Sequence, residues 1–108
     1  MSLDATLDVD ADGSVVFTFR VINRGEQPAE LTFRSGRDGD VAVSRDGEEV
    51  WRWSDGRMFT QAVRTATLAP GDTYGAEYEW TEPAPGDYTA VASLAVDDPL
   101  EAEATFRV

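Results

Sequence analysis

Catalysis needs groups that carry protons, nucleophiles or metals, and this chain is short of them. Its 108 residues include no His and no Cys, which removes the commonest general base, the thiolate nucleophile, Cys-based zinc sites and disulfides together. All nine basic residues are Arg, so no Lys is present to replace His as a base. Serines stand at positions 2, 14, 35, 44, 54 and 93, yet none lies in a Gly-x-Ser-x-Gly elbow. Asp and Glu total 21, and carboxylate pairs are the working groups of glycoside hydrolases. Such enzymes also need a cleft that seats a sugar, which a small chain with short loops does not offer. No catalytic residue is assigned, and the expectation is a protein that is not an enzyme.

Metal chemistry fares no better. Asp8-Val9-Asp10-Ala11-Asp12-Gly13 opens like a calcium loop, with carboxylates at its first, third and fifth positions and Gly at its sixth. The twelfth position is Phe19, where a bidentate Glu is required, so the segment reads as a β-turn with solvated carboxylates. Asp38 with Asp40, and Asp97 with Asp98, are carboxylate clusters that could hold a cation weakly and that read first as acidic, halophile-type surface. No metal and no cofactor are expected. Trp51-Arg52-Trp53 sets two indoles on one side of a strand. Core packing accounts for that, as does a partly exposed aromatic pair beside an Arg, the mixture enriched in protein interfaces.

The positioning elements are short strands. Alternating apolar runs recur at the 8 to 12 residue spacing of sandwiches: Leu3 to Val9, Ser14 to Asn23, Leu31 to Phe33, Val41 to Val43, Val50 to Trp53, Arg64 to Leu68, Tyr74 to Trp80, Tyr88 to Val96 and Glu101 to Val108. Turns separate them at Asp10 to Gly13, Arg24 to Pro28, Ser35 to Asp40, Pro70-Gly71 and Pro85-Gly86. Asp46-Gly47 suits a type I′ hairpin, whose two central residues both need positive φ. Ser54 to Ala62 shows neither alternation nor enough length for a helix beyond a single turn. With no crossover helix the sheets must be antiparallel. The fold class expected is all-β, an immunoglobulin-like antiparallel β-sandwich of about eight or nine strands forming one domain over residues 1–108. Pro85-Gly86-Asp87-Tyr88 fits a tyrosine corner, in which the phenol bonds back to the chain just upstream.

Charge bounds the partners. A net charge of −12, spread through turns and outward strand positions, argues against nucleic acid, whose phosphates need a basic stripe. It fits a halophilic chain, because at about 1 M salt the Debye length falls to roughly 3 Å and self-repulsion is screened. Met1-Ser2-Leu3-Asp4 has no basic region leading into an apolar run, and nowhere does the chain approach the ~18 apolar residues of a membrane span. A cytoplasmic protein without membrane contact is expected.

One segment resembles a known family. Trp51-Arg52-Trp53, the Ser54-Asp55-Gly56-Arg57 turn and Met58-Phe59-Thr60-Gln61-Ala62 are similar to the signature of the BsuPI-type intracellular proteinase inhibitors. Phe33-Arg34-Ser35-Gly36 upstream fits the same family, as do Leu68-Ala69-Pro70-Gly71-Asp72-Thr73-Tyr74, Trp80 and Pro85-Gly86-Asp87-Tyr88 downstream, all in similar order and spacing. The likeness runs from about Val15 through most of the chain, which departs from the family in its acidity and in carrying Trp where Tyr occurs. It implies an Ig-like sandwich that inhibits a cytoplasmic subtilisin-like serine proteinase. An inhibitor that mimics substrate needs an extended segment held rigid, since ordering a loose loop costs about 0.5 to 1.5 kcal/mol per immobilised side chain. Ser54 to Ala62 is the candidate: Met58 or Phe59 offers an apolar group to the pocket, Arg57 and Gln61 sit at the rim, and Thr60 lies between. Met58 and Phe59 also fit a core role. The alternative is a non-inhibitory structural or adaptor domain that binds a protein partner through an exposed sheet edge or loop.

Overall fold

A computed structural model describes residues 2–97 and 99–108. Among these residues nine strands follow one another: β1 (Leu3–Asp10), β2 (Val15–Asn23), β3 (Ala29–Phe33), β4 (Gly39–Arg45), β5 (Glu48–Arg52), β6 (Arg64–Leu68), β7 (Thr73–Trp80), β8 (Asp87–Leu94) and β9 (Leu100–Arg107). Every pairing is antiparallel. A three-stranded sheet runs β1-β2-β7, a four-stranded sheet runs β5-β4-β8-β9, and β3 pairs with β6. Among the described residues there is no helix. The all-β sandwich expected from the alternation is the observed fold.

Period-two patterning explains the layers. In β2, Val15, Phe17, Phe19 and Val21 are all fully buried, while Val16, Thr18 and Arg20 between them are not. They face Val41 and Val43 of β4 and Tyr88, Ala90, Ala92 and Leu94 of β8 in one continuous core. Phe17 stacks on Trp51 at 5.9 Å between centroids, Trp51 on Trp80 at 5.4 Å, Trp80 meets Tyr88 edge-on at 5.1 Å, Tyr88 lies 5.5 Å from Phe106, and Phe106 closes on Phe17 at 5.5 Å. This cycle of five rings joins both sheets. Each aromatic pair adds about 0.5–1.5 kcal/mol beyond its area burial.

Local chemistry sets the corners. Asp46 and Gly47 take φ of 53° and 82°, the two positive values a type I′ turn requires. The Tyr88 hydroxyl donates to the Ala84 carbonyl at 2.6 Å, the tyrosine corner read from Pro85 to Tyr88. Asn23, buried at the end of β2, donates to the carbonyls of Gln27 at 2.8 Å and Leu68 at 2.9 Å and accepts from the Gly25 amide at 2.9 Å. It fastens β6 and the β2–β3 loop to the first sheet. Several boundaries differ from the sequence reading, with β3 starting at Ala29, β4 running to Arg45 and β8 stopping at Leu94. The buried residues Gly39 and Asp40 open β4 rather than ending a polar connection, and β5 starts at Glu48 and stops at Arg52, so Trp53 stands just past it.

Carboxylates occupy the outward positions, with Asp4, Asp8 and Asp10 of β1, Glu77 and Glu79 of β7, and Glu101 and Glu103 of β9 all exposed. The calcium-like segment is part of this surface: the Asp8 carboxylate lies 3.4 Å from Arg20, and Asp10 accepts from the Asp12 amide across the turn. Asp97 pairs with Arg34 at 2.7 Å, whereas Asp98 lies outside the described residues. Repulsion among these charges is screened at high ionic strength. We therefore expect the thermal midpoint to rise by several degrees between about 0.1 M and about 2 M KCl; a midpoint that does not move would count against a halophilic design.

Candidate functional site

The segment between β5 and β6 leaves the sandwich at Trp53 and is fastened at several points. Its root is the carboxylate of Asp40, 3% exposed. One carboxylate oxygen, Oδ1, accepts from the amides of Val41 at 2.9 Å and Ser54 at 3.0 Å. The other, Oδ2, accepts from Ser54 Oγ at 2.6 Å, Arg52 Nη1 at 3.1 Å and Arg37 Nη1 at 3.2 Å. A buried carboxylate is tolerated only when paired and saturated in this way. The Ser54–Asp40 contact is not a nucleophile and its base, because four further donors occupy the acceptor sites that would have to take the hydroxyl proton. Arg52 is held above the usual guanidinium pKa, chiefly by its bonds to Glu49 and then by those to Asp40.

Trp53 is the second anchor. Its amide donates to the Val41 carbonyl at 3.0 Å, and its ring packs edge-on to Tyr78 at 4.8 Å. A turn then reverses the chain, with Asp55 N bonding Arg52 O and Arg57 N bonding Ser54 O, both at 3.1 Å, and Gly56 at φ 76°. This is the tight feature that the sequence allowed as a single helical turn. Arg57 folds back, donating from Nε to the Trp53 carbonyl at 2.7 Å and laying its guanidinium 4.3 Å above the Trp53 ring. Phe59 returns to the same indole at 5.8 Å.

Beyond Phe59 the chain is tied to the β3–β4 connection. The Gly36 amide donates to the Thr60 carbonyl at 2.9 Å, and a Cβ on Gly36 would come within 2.6 Å of Thr60 Oγ1. Arg64, at the start of β6, donates to the Ser35 carbonyl and to Asp38 at 2.7 Å, and its guanidinium lies 4.8 Å over Phe33. A shallow groove of about 260 Å³ separates this segment from β7, lined by Gly36, Asp38, Trp53, Phe59 and residues 75–78. Beneath it, burial first and then the nearby Asp38 charge push the Tyr78 phenol up to about 12.

The five residues picked out in the sequence lie together on this loop but in different environments. Met58 is 97% exposed, the most exposed large apolar side chain described. Phe59, its neighbour, is half-buried, while Arg57, Thr60 and Gln61 are exposed. The core role open to the Met-Phe pair holds for Phe59, which packs on Trp53, and fails for Met58, which is left in solvent. Trp51 and Trp53 both pack against the core, though Trp53 also serves the loop. Ser54, Gly36 and Arg64, which help hold the loop in place, were not given that role by sequence reasoning, and Asp40 was read with Asp38 as acidic surface; Asp40 is instead buried, because two guanidinium groups, two amides and a hydroxyl converge on its carboxylate. Alternation gave no sign of Asp40's burial, since a residue directly before Val41 falls on the opposite side from Val41 and Val43.

Comparison with known proteins bears on fold and family separately. The family model described as BsuPI, intracellular proteinase inhibitor, matches residues 2–99. No curated protein matches the chain. Among solved structures, β-glucosidase 3B of Thermotoga neapolitana superposes with a TM-score of 0.54 at 17% identity over 99% of this chain. A sporulation control protein of Bacillus subtilis gives 0.54 at 14% identity over 100%. A CARDB domain from Pyrococcus furiosus, in complex with di-metal ions, gives 0.52 at 17% identity over 99% of this chain and 92% of that one. The chain spans only 16% of that β-glucosidase and 49% of the sporulation protein. At these identities the likeness concerns the sandwich fold alone. No helix among the described residues is long and apolar enough to cross a membrane.

Proposed function

Since the chain belongs to the BsuPI family of intracellular proteinase inhibitors, we propose that it acts on a subtilisin-like serine proteinase of the cytoplasm, presenting Arg57, Met58, Phe59, Thr60 and Gln61 to the active-site cleft. It performs no catalysis of its own in this reading. The observation that carries it is Met58, almost wholly in solvent between two residues, Arg57 and Phe59, that are both held on Trp53. A large apolar side chain exposed at one point of a fastened loop lowers the ordering cost of binding, because the flanking side chains are already fixed. Met58 then fills an apolar pocket. Arg57 is engaged by a carbonyl and a ring rather than by a carboxylate, which leaves its charge to meet an acidic rim.

Met58→Ala tests this directly. Removing the pocket-filling group should weaken inhibition by about tenfold, which corresponds to about 1.4 kcal/mol. The melting temperature should stay within about 2 °C, since an exposed substitution changes stability by no more than about 0.5 kcal/mol. Unchanged inhibition by the variant would remove Met58 from the contact. The second reading, an adaptor that pairs with a partner strand, is favoured by β7, which among the described residues has β2 on one side and no strand neighbour on the other. It expects no inhibition by the parent chain even at high salt and at about a tenfold molar excess over the proteinase.

A further inference from the structure

The thioether of Met58 is the only sulfur among the described residues, and no Cys occurs in the chain. Susceptibility of Met to oxidation follows exposure, and the product is a polar, chiral sulfoxide. At 97% exposure nothing in the fold shields this sulfur. We propose that Met58 is an oxidation site that controls the inhibitor: peroxide converts it to the sulfoxide, and the proteinase is released. The inference rests on the reading above, in which Met58 is the group seated in the partner's pocket.

The step is balanced with hydrogen peroxide as its oxidant. A sulfur lone pair attacks one peroxide oxygen, the O–O bond breaks and an S–O bond forms. The departing hydroxide takes the proton left on the transferred oxygen and leaves as water. Sulfur loses two electrons and peroxide gains them.

The structure separates the consequence for binding from that for folding. The loop is held by Asp40 on Ser54, by the Trp53 ring on Arg57 and Phe59, and by Gly36 on the Thr60 carbonyl. None of these contacts includes Met58. Oxidation therefore leaves the loop in place and changes only the group it offers. A sulfoxide oxygen entering an apolar pocket loses its water without gaining a donor, and buried polar groups without partners are costly enough to reduce affinity by about tenfold or more.

The experiment treats the purified chain with hydrogen peroxide, locates the added oxygen by peptide mass spectrometry, and titrates a subtilisin-like proteinase with untreated, oxidised and re-reduced protein. The expected result is oxygen on Met58 at a rate near that of free methionine, and an inhibition constant raised at least about tenfold at an unchanged melting temperature. The two methionine sulfoxide reductases together, one for each sulfoxide epimer, should restore inhibition. Full oxidation of Met58 with undiminished inhibition overturns the proposal, as does resistance of Met58 to peroxide, or a loss that the pair of reductases does not reverse. An untreated chain that fails to inhibit overturns the inhibitor reading itself and this inference with it, an outcome distinct from the other three.

Discussion

Trp53→Ala is expected to lower the unfolding free energy by about 3 kcal/mol and the melting temperature by about 10–20 °C, and to abolish inhibition. The stability loss follows from the ring's place against Tyr78 at 4.8 Å. Because the indole is only half-buried, the lower end of the usual range for a large aromatic applies. Loss of inhibition has a separate cause. Arg57 and Phe59 bracket Met58 and share this one ring, so its removal frees both sides of the presented residue at once. Trp53→Phe keeps an aromatic face and should retain most of both properties. Calorimetry with a proteinase titration decides the matter: a destabilised Trp53→Ala protein that still inhibits like the parent would show that the loop does not depend on this anchor.

Asp40→Ala should cost about 3 kcal/mol, seen as a lower urea midpoint at an unchanged slope. Two guanidinium groups, two amides and a hydroxyl lose their acceptor together. The Arg37 and Arg52 side chains are 36% and 39% exposed and turn to water at little expense, so the cost falls mainly on the amides of Val41 and Ser54. Asp40→Asn keeps an acceptor without the charge and should lose about half as much. The alanine variant should also be cut between Ser54 and Ala62 by proteinases that leave the parent intact, because the first anchor of the loop is gone. A urea midpoint equal to that of the parent would mean the carboxylate contributes nothing net, as replacement of buried ion pairs sometimes shows.

What could be read from the residues in advance was what is decided locally. Asp46-Gly47 specifies its turn because few other dipeptides accept two positive φ values, and Tyr88 specifies its corner because its hydroxyl reaches a carbonyl four residues back. Strict alternation in Val15 to Val21 fixed the buried face of β2 without reference to any other strand. The loop anchors were not legible because each depends on residues brought together from separate parts of the chain. Asp40 is a charged residue whose burial makes sense only once Arg37, Arg52 and Ser54 converge on it. The fates of Met58 and Phe59 were equally hidden, since adjacent side chains point opposite ways in extended backbone and only the position of Trp53 decides which of them turns inward. Family likeness pointed to the segment, and the packing of one indole gave its residues their different environments.

The near-parallel stack of Trp51 on Trp80, 5.4 Å apart and inclined by 15°, brings two identical chromophores close enough for their excited states to mix. The stack joins β5 to β7, so any coupling of their optical transitions exists only while both sheets are assembled. Trp53 stands outside that stack beside the loop, so under the proposed function its emission would respond to occupancy while the Trp51–Trp80 stack reports the integrity of the sandwich. The three indoles thus provide two separate spectroscopic channels in an unlabelled chain.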